Sequence, residues 1–157
     1  MLSFSVFAQG EFKINVDISS GNFTFVGNNL GTDITVYDQA NLGGPPLLAL
    51  TGVNSQITIN QSAFTDPSID DVQIWYTNNI TTINFNNNGN VARIQSIEEW
   101  GTATFTTLNF WGGTNLDIAA GAGAPNLGAN ANLFRLFRNC NSMVDAANTL
   151  GLSLIHI

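Results

Sequence analysis

Positive charge is almost missing from this 157-residue chain: Lys13, Arg93, Arg135 and Arg138 are its only cations, against eleven acids. A phosphate backbone is held by clustered Lys and Arg, so nucleic acid is not an expected partner. An anionic membrane surface is not an expected partner on the same ground. No apolar run reaches the roughly 20 residues that span a bilayer, so membrane insertion is not expected either. The single cysteine, Cys140, leaves no internal disulfide and reads as a small buried apolar residue. The single histidine is His156, next to the last residue. Nucleophilic systems built on Ser-His-Asp or Cys-His therefore lack their base elsewhere, and one Cys with one His does not make a zinc site. Gly121-Ala122-Gly123 lacks the spacing of a phosphate loop and reads as a loop of small residues. No cofactor is expected, and the chain does not read as an enzyme.

Charged residues make up 10% of the sequence and hydrophobic ones 44%. A core can be built, but polarity must come from elsewhere. It comes from 22 Asn and 25 Ser or Thr. That mixture favours strands joined by Asn/Gly turns over charged helices. With so many Asn, Ser and Thr, the Asn-x-Ser/Thr triplets at Asn22, Asn60 and Asn79 are no more than chance supplies.

Residues 11–92 read as strands. Phe12, Ile14, Val16 and Ile18 alternate with polar partners, the period of a half-buried strand. Phe23 and Phe25 resume the alternation after Gly21-Asn22, and Ile34 and Val36 give another strand. Gly43-Gly44-Pro45-Pro46 breaks the chain. Leu47–Leu50, Ile57 with Ile59, Val72–Tyr76 and Ile80–Phe85 follow, and Asn86–Asn90 forms a turn. Short strands at this spacing suggest an antiparallel β-sandwich. Helical signals are confined to the far end. Asn132 is placed to N-cap a helix over Leu133–Asn139, with Leu133, Leu136 and Phe137 on one face, and 145–150 begins another turn.

The acids offer few sites. Glu98 and Glu99 are neighbours on an expected strand, which points them to opposite faces. Asp66, Asp70 and Asp71 form the densest cluster and are candidates for calcium, held by loop oxygens. The plainer reading is a turn around Pro67. Among aromatics, Trp75 and Tyr76 are adjacent in a strand, so one ring faces outward. They are the candidate ligand-binding residues, and Trp100 and Trp111 are further candidates for the same sugar-binding platform, since a flat ring stacks on a sugar; core packing is the commoner fate of such rings.

The stretch 94–147 carries a repeated phrase. Laying Gly112 on Asn139 puts Phe110 on Phe137, Leu116 on Met143 and Ala119-Ala120 on Ala146-Ala147, an offset of 27 residues. Such periods point to stacked repeats. Residues 93–150 resemble the BspA-type leucine-rich-repeat-like surface proteins, in which I-x-x-I-x-x-W-G precedes repeats of M-x-x-M-F-x-x-C-x-x-L. Ile94, Ile97, Trp100 and Gly101 fit the lead-in; Leu133, Leu136, Phe137, Cys140 and Met143 fit one repeat. The earlier copy departs, with Gly113 in place of Cys and two residues fewer between Leu108 and Phe110. The likeness covers little more than a third of the chain.

The resulting expectation is a mainly β protein with an N-terminal antiparallel β-sandwich over 11–92. The start of a leucine-rich-repeat-like solenoid, with one or two short helices, follows over 93–151. Residues 1–10 are either the remnant of a signal peptide or a first strand. Residues 152–157 resemble a translated sequencing adapter, which makes them a non-native tail on a truncated fragment. The resemblance implies a secreted or cell-surface recognition or adhesion protein that binds a protein or glycan through its repeats. Two alternatives accompany it: a phage or virion host-attachment protein, and a carbohydrate-binding module of a secreted enzyme. An uncapped repeat edge would favour self-association. Trp100, Phe105 and Trp111 are the expected buried junction between the two segments.

Overall fold

The structure, a computed structural model, describes residues 10–25, 27–28, 31–53, 56–77 and 80–143. The expectations placed on 1–9, Asn79, 145–150 and the 152–157 tail with His156 lie outside the described residues. The chain is mainly β. Its strands are β1 (Phe12–Asp17), β2 (Phe23–Phe25), β3 (Gly27–Asn28), β4 (Thr32–Asp38), β5 (Leu48–Val53) and β6 (Ile57–Ile59). They continue with β7 (Asp71–Tyr76), β8 (Thr82–Asn84), β9 (Ile94–Glu99), β10 (Thr104–Asn109), β11 (Asp117–Ile118) and β12 (Asn126–Asn132). Short 3-10 turns at Gln39–Asn41, Gln61–Ala63 and Gly89–Arg93 each start behind a capping side chain. Asp38, Asn60 and Asn88 accept the backbone N–H two residues on. All three residues suit such turns because a short polar side chain can imitate the backbone acceptor.

Six strands form one sheet in the order β11-β9-β1-β7-β4-β5. β1 lies antiparallel to both β7 and β9, and β4 antiparallel to β7 and β5, while β11 joins β9 in parallel. Four strands form a second sheet, β12-β10-β8-β3, in which β8, β10 and β12 run parallel. β2 and β6 pair separately and antiparallel. The parallel rows are offset by 22 to 25 residues, as the Asn126–Thr104 and Thr106–Thr81 hydrogen bonds record. β1 sits between strands from both expected segments, so one sheet crosses residue 92.

The core follows from alternation. Phe12, Ile14 and Val16 are fully buried, and the Phe12 ring meets Tyr76, Trp100 and Phe105 at 5.7, 5.8 and 5.8 Å. A second aromatic run crosses the parallel rows. Phe85 lies 5.9 Å from Phe110, and Phe110 stacks on Phe137 at 6.0 Å. Rings of this size contribute about 1.5–3 kcal/mol each when fully buried. The expected superposition of Phe110 on Phe137 is thus a physical contact. Trp100 and Phe105 are buried at the junction as expected, but Trp111 is only half-buried, because it lies at a turn and faces arginines rather than the core.

β9 explains the three-residue spacing of Ile94, Ile97 and Trp100. Its pairing with β1 slips twice, so that Ile14 faces Ile97 and Val16 faces Ile94. Each bulge takes up one extra residue and returns the next isoleucine to the core. The expected helix over 133–139 does not form. Asn132 accepts the Phe134 N–H as a cap would, but Arg135 and Asn139 adopt φ of 62° and 61°, which no α-helix tolerates. The carbonyls of Leu136 and Arg138 accept instead from Phe110 and Gly112 of the preceding row.

Candidate functional site

On the face of the large sheet turned away from the core, the side chains are polar yet buried. Lys13, Asn15 and Gln73 are all at least nine-tenths covered. Alternation on β1 sends Lys13 and Asn15 there, and on β7 it sends Gln73 and Trp75. Their hydrogen bonds run in one direction. Trp75 Nε1 donates to Gln73 Oε1 at 2.5 Å, and Gln73 Nε2 donates to Asn15 Oδ1 at 2.9 Å. Asn15 Nδ2 then donates to Ser96 Oγ at 3.1 Å and Glu98 Oε1 at 2.8 Å, while Ser96 also donates to Glu98. Such a chain polarises each successive bond and ends on a carboxylate. Lys13 Nζ pairs with Glu99 Oε2 at 2.6 Å and stands 4.4 Å from the Trp75 ring centre.

Glu98 and Glu99 therefore engage the same face of β1, contrary to the strand-alternation expectation. The bulge at Glu98 is the reason, since Lys13 pairs with Glu99 and Ile14 with Ile97. Beside them opens a groove of about 430 Å³ lined by Gly10, Glu98, Glu99, Gly101, Thr102 and residues 121–124. Gly101 has φ 69° and its missing Cβ would lie 2.6 Å from the Gly10 carbonyl oxygen. Glycine is what lets the two loops meet. Burial pushes the Glu11 carboxyl up; Lys13 pulls it down, and Glu99 raises it further. The groove joins acids to small residues, with no histidine among the residues that line it.

The sequence-derived candidates are scattered. Asp66 accepts both the Ser68 backbone N–H and its hydroxyl, at 2.9 and 2.6 Å, and those bonds hold its pKa below the ordinary range. Asp70 accepts from Gln61, and Asp71 from Gln95. Among the described residues, no three His, Cys, Asp or Glu side chains gather where they could hold a metal. Asp66 closes the turn around Pro67, as the plainer reading had it. Tyr76 points into the core and is 1% exposed, so burial pushes its hydroxyl well up. Trp75 takes the other face but is only 9% exposed, covered by Lys13 and by Tyr37 at 4.6 Å. Neither ring offers a free platform.

Two features escaped the sequence. One is a third copy of the repeated phrase: Ile83-Asn84-Phe85 pairs in register with Leu108-Asn109-Phe110. Asn87, with φ 60°, stands against Gly112, with φ 88°. The signal was the shared apolar-Asn-Phe triplet, hidden by an offset shorter than 27. The other is the outward surface of the parallel rows. There Thr82 meets Thr106 at 3.4 Å and Asn126 donates to Thr104. Among the described residues, no helix is long and apolar enough to cross a membrane. No known protein family matches the chain, and no curated protein or solved structure does either.

Proposed function

We propose that this chain is a non-enzymatic, surface-exposed recognition or adhesion protein of the BspA-like, leucine-rich-repeat-like type. It binds a protein or glycan through the outer face of its stacked rows. The observation that supports this reading is the parallel stack of β8, β10 and β12, in register between β8 and β10 and shifted once between β10 and β12, backed by the Phe85–Phe110–Phe137 run. In stacked architectures each row contacts only its neighbours, and the accumulated surface is broad and shallow, suited to macromolecular contact. Here that surface carries Thr104, Thr106 and Asn126, all exposed and uncharged. Such side chains exchange hydrogen bonds with a partner without the desolvation penalty of burying a charge.

The test is direct. Fluorescently labelled full chain is titrated onto intact bacterial and animal cells, untreated, protease-treated or periodate-treated. Saturable binding lost on one pretreatment, and lost in a Thr104→Glu/Thr106→Glu variant that still folds, supports the reading. Absence of saturable binding to every cell type sinks it.

A further inference from the structure

Two of the four cations converge on one ring. The Arg135 guanidinium lies 4.2 Å from the centre of Trp111 and 4.7 Å from that of Phe134; the Arg138 guanidinium lies 5.3 Å from Trp111. The other two cations are occupied. Lys13 pairs with Glu99, and Arg93 donates to the carbonyls of Ser20, Gly21 and Asn22. Among the described residues Lys13–Glu99 is the one ion pair, so Arg135 and Arg138 hold their charge against aromatic faces and no carboxylate. Two donors of the cluster, Arg135 Nε and Trp111 Nε1, are buried with no acceptor. An unpaired buried donor is unfavourable in the free state. Arg135 also holds a left-handed backbone, φ 62°, that a long side chain rarely adopts. Strain of this kind concentrates at binding sites. Beside the pair, Phe134 is 66% exposed, although it is a large apolar ring.

We infer that Arg135, Arg138, Trp111 and Phe134 form a binding site for an acidic saccharide. The guanidiniums hold its carboxylate, and the sugar's apolar face rests on Phe134. The inference rests on the recognition reading and adds to it a second, charged site at the turns that follow β10 and β12, with a stated ligand class. A planar guanidinium matches a carboxylate with two parallel N–H donors, and the indole behind it keeps it poorly hydrated. Swinging Arg135 onto a carboxylate also supplies the acceptor that its Nε lacks. A polyanion is disfavoured because the chain's net charge is −7; one carboxylate meets the local pair without gathering that repulsion. An extended peptide docks along a sheet edge or groove, whereas this site is a ring protruding from a turn.

The experiment uses the full chain on an array of sialylated, uronate-bearing, sulfated and neutral oligosaccharides, followed by titration of the bound members. Binding to carboxylate-bearing members is expected, weakening as salt is raised. Arg135→Gln/Arg138→Gln is expected to reduce affinity by about 10- to 100-fold, the range for losing charge-assisted hydrogen bonds. Phe134→Ala, at an exposed position, should reduce it without disturbing the fold, as circular dichroism would verify. Equal binding of neutral members, unchanged in the arginine variant, overturns this site and leaves the recognition reading standing. Binding to no saccharide, or only to an acidic peptide included as a control, overturns the ligand class. The cell-binding titration then decides the broader reading separately.

Discussion

Replacing Gly101 by alanine tests the closest backbone approach in the molecule's candidate groove. The new Cβ would lie 2.6 Å from the Gly10 carbonyl oxygen, 2.7 Å from the Glu11 carbonyl carbon and 2.8 Å from its oxygen. All three are backbone atoms, so no side-chain rotation relieves the overlap. Alanine at φ 69° also carries the left-handed penalty, about 1–2 kcal/mol. Overpacking against fixed atoms adds about 1–3 kcal/mol. The expected loss is thus roughly 2–5 kcal/mol, or about 4–20 °C in Tm for a chain of this size. The loops would part at the Thr102 N–H to Gly10 carbonyl bond, now 3.1 Å. Urea unfolding of purified protein, followed by tryptophan fluorescence, measures the effect. Gly121→Ala is the control: it lines the same groove, yet no atom lies within 4 Å of its Cβ. That variant should stay within about 0.5 kcal/mol of the parent. If both variants are equally stable, the reasoning about Gly101 is wrong.

Phe12→Ala removes the ring shared by Tyr76, Trp100 and Phe105 and should lose about 3–5 kcal/mol; a loss under 1 kcal/mol by urea titration would show that the cluster does not bind the two segments together. Cys140 is pushed up to about 11 by burial, despite an offsetting hydrogen bond from the Gly113 backbone, so a disulfide reagent should label it slowly at mildly alkaline pH and quickly in guanidinium. Rapid native labelling contradicts that burial. The Glu11 carboxyl is raised, chiefly by burial. Its protonated form stabilises the fold below the unfolded pKa, and that stabilisation fades as pH rises through the folded value. Glu11→Gln should therefore raise the urea midpoint at neutral pH and leave it unchanged in acid; equal gains at both would refute the assignment.

Much of the fold was legible because short strands announce themselves through period-2 alternation. β1, β4, β6 and β7 fall on the apolar positions that the sequence marks. Pairing was not legible. Nothing local says that Lys13 will face Glu99 across more than 80 residues, an interaction set by register alone. The spacing of Leu133, Leu136 and Phe137 fits a helix, and it equally fits a turn with left-handed residues at Arg135 and Asn139. Alternation put one ring of the Trp75–Tyr76 pair on the outer face without saying which; that it is Trp75, and that Lys13 and Tyr37 cover it, is decided by other strands. The groove was invisible for a similar cause. Its acids share a face only because β9 bulges, and a bulge leaves no fixed signature in one sequence. The arginine–indole cluster was legible only in its parts, Arg135 and Arg138 as two of the four cations and Trp111 as a candidate sugar-stacking ring.

β1 occupies the middle of the six-stranded sheet, yet its neighbours β7 and β9 begin at Asp71 and Ile94. During synthesis the first of these strands must wait for both flanks to leave the ribosome, about ten seconds at ordinary elongation rates. Closure then depends on distant segments, a topology that places folding in the millisecond-to-second range. Through that interval Phe12, Ile14 and Val16 stand open to solvent with both backbone edges unpaired. Refolding yield should therefore fall steeply with protein concentration, and a chaperone that shields extended apolar segments should restore it.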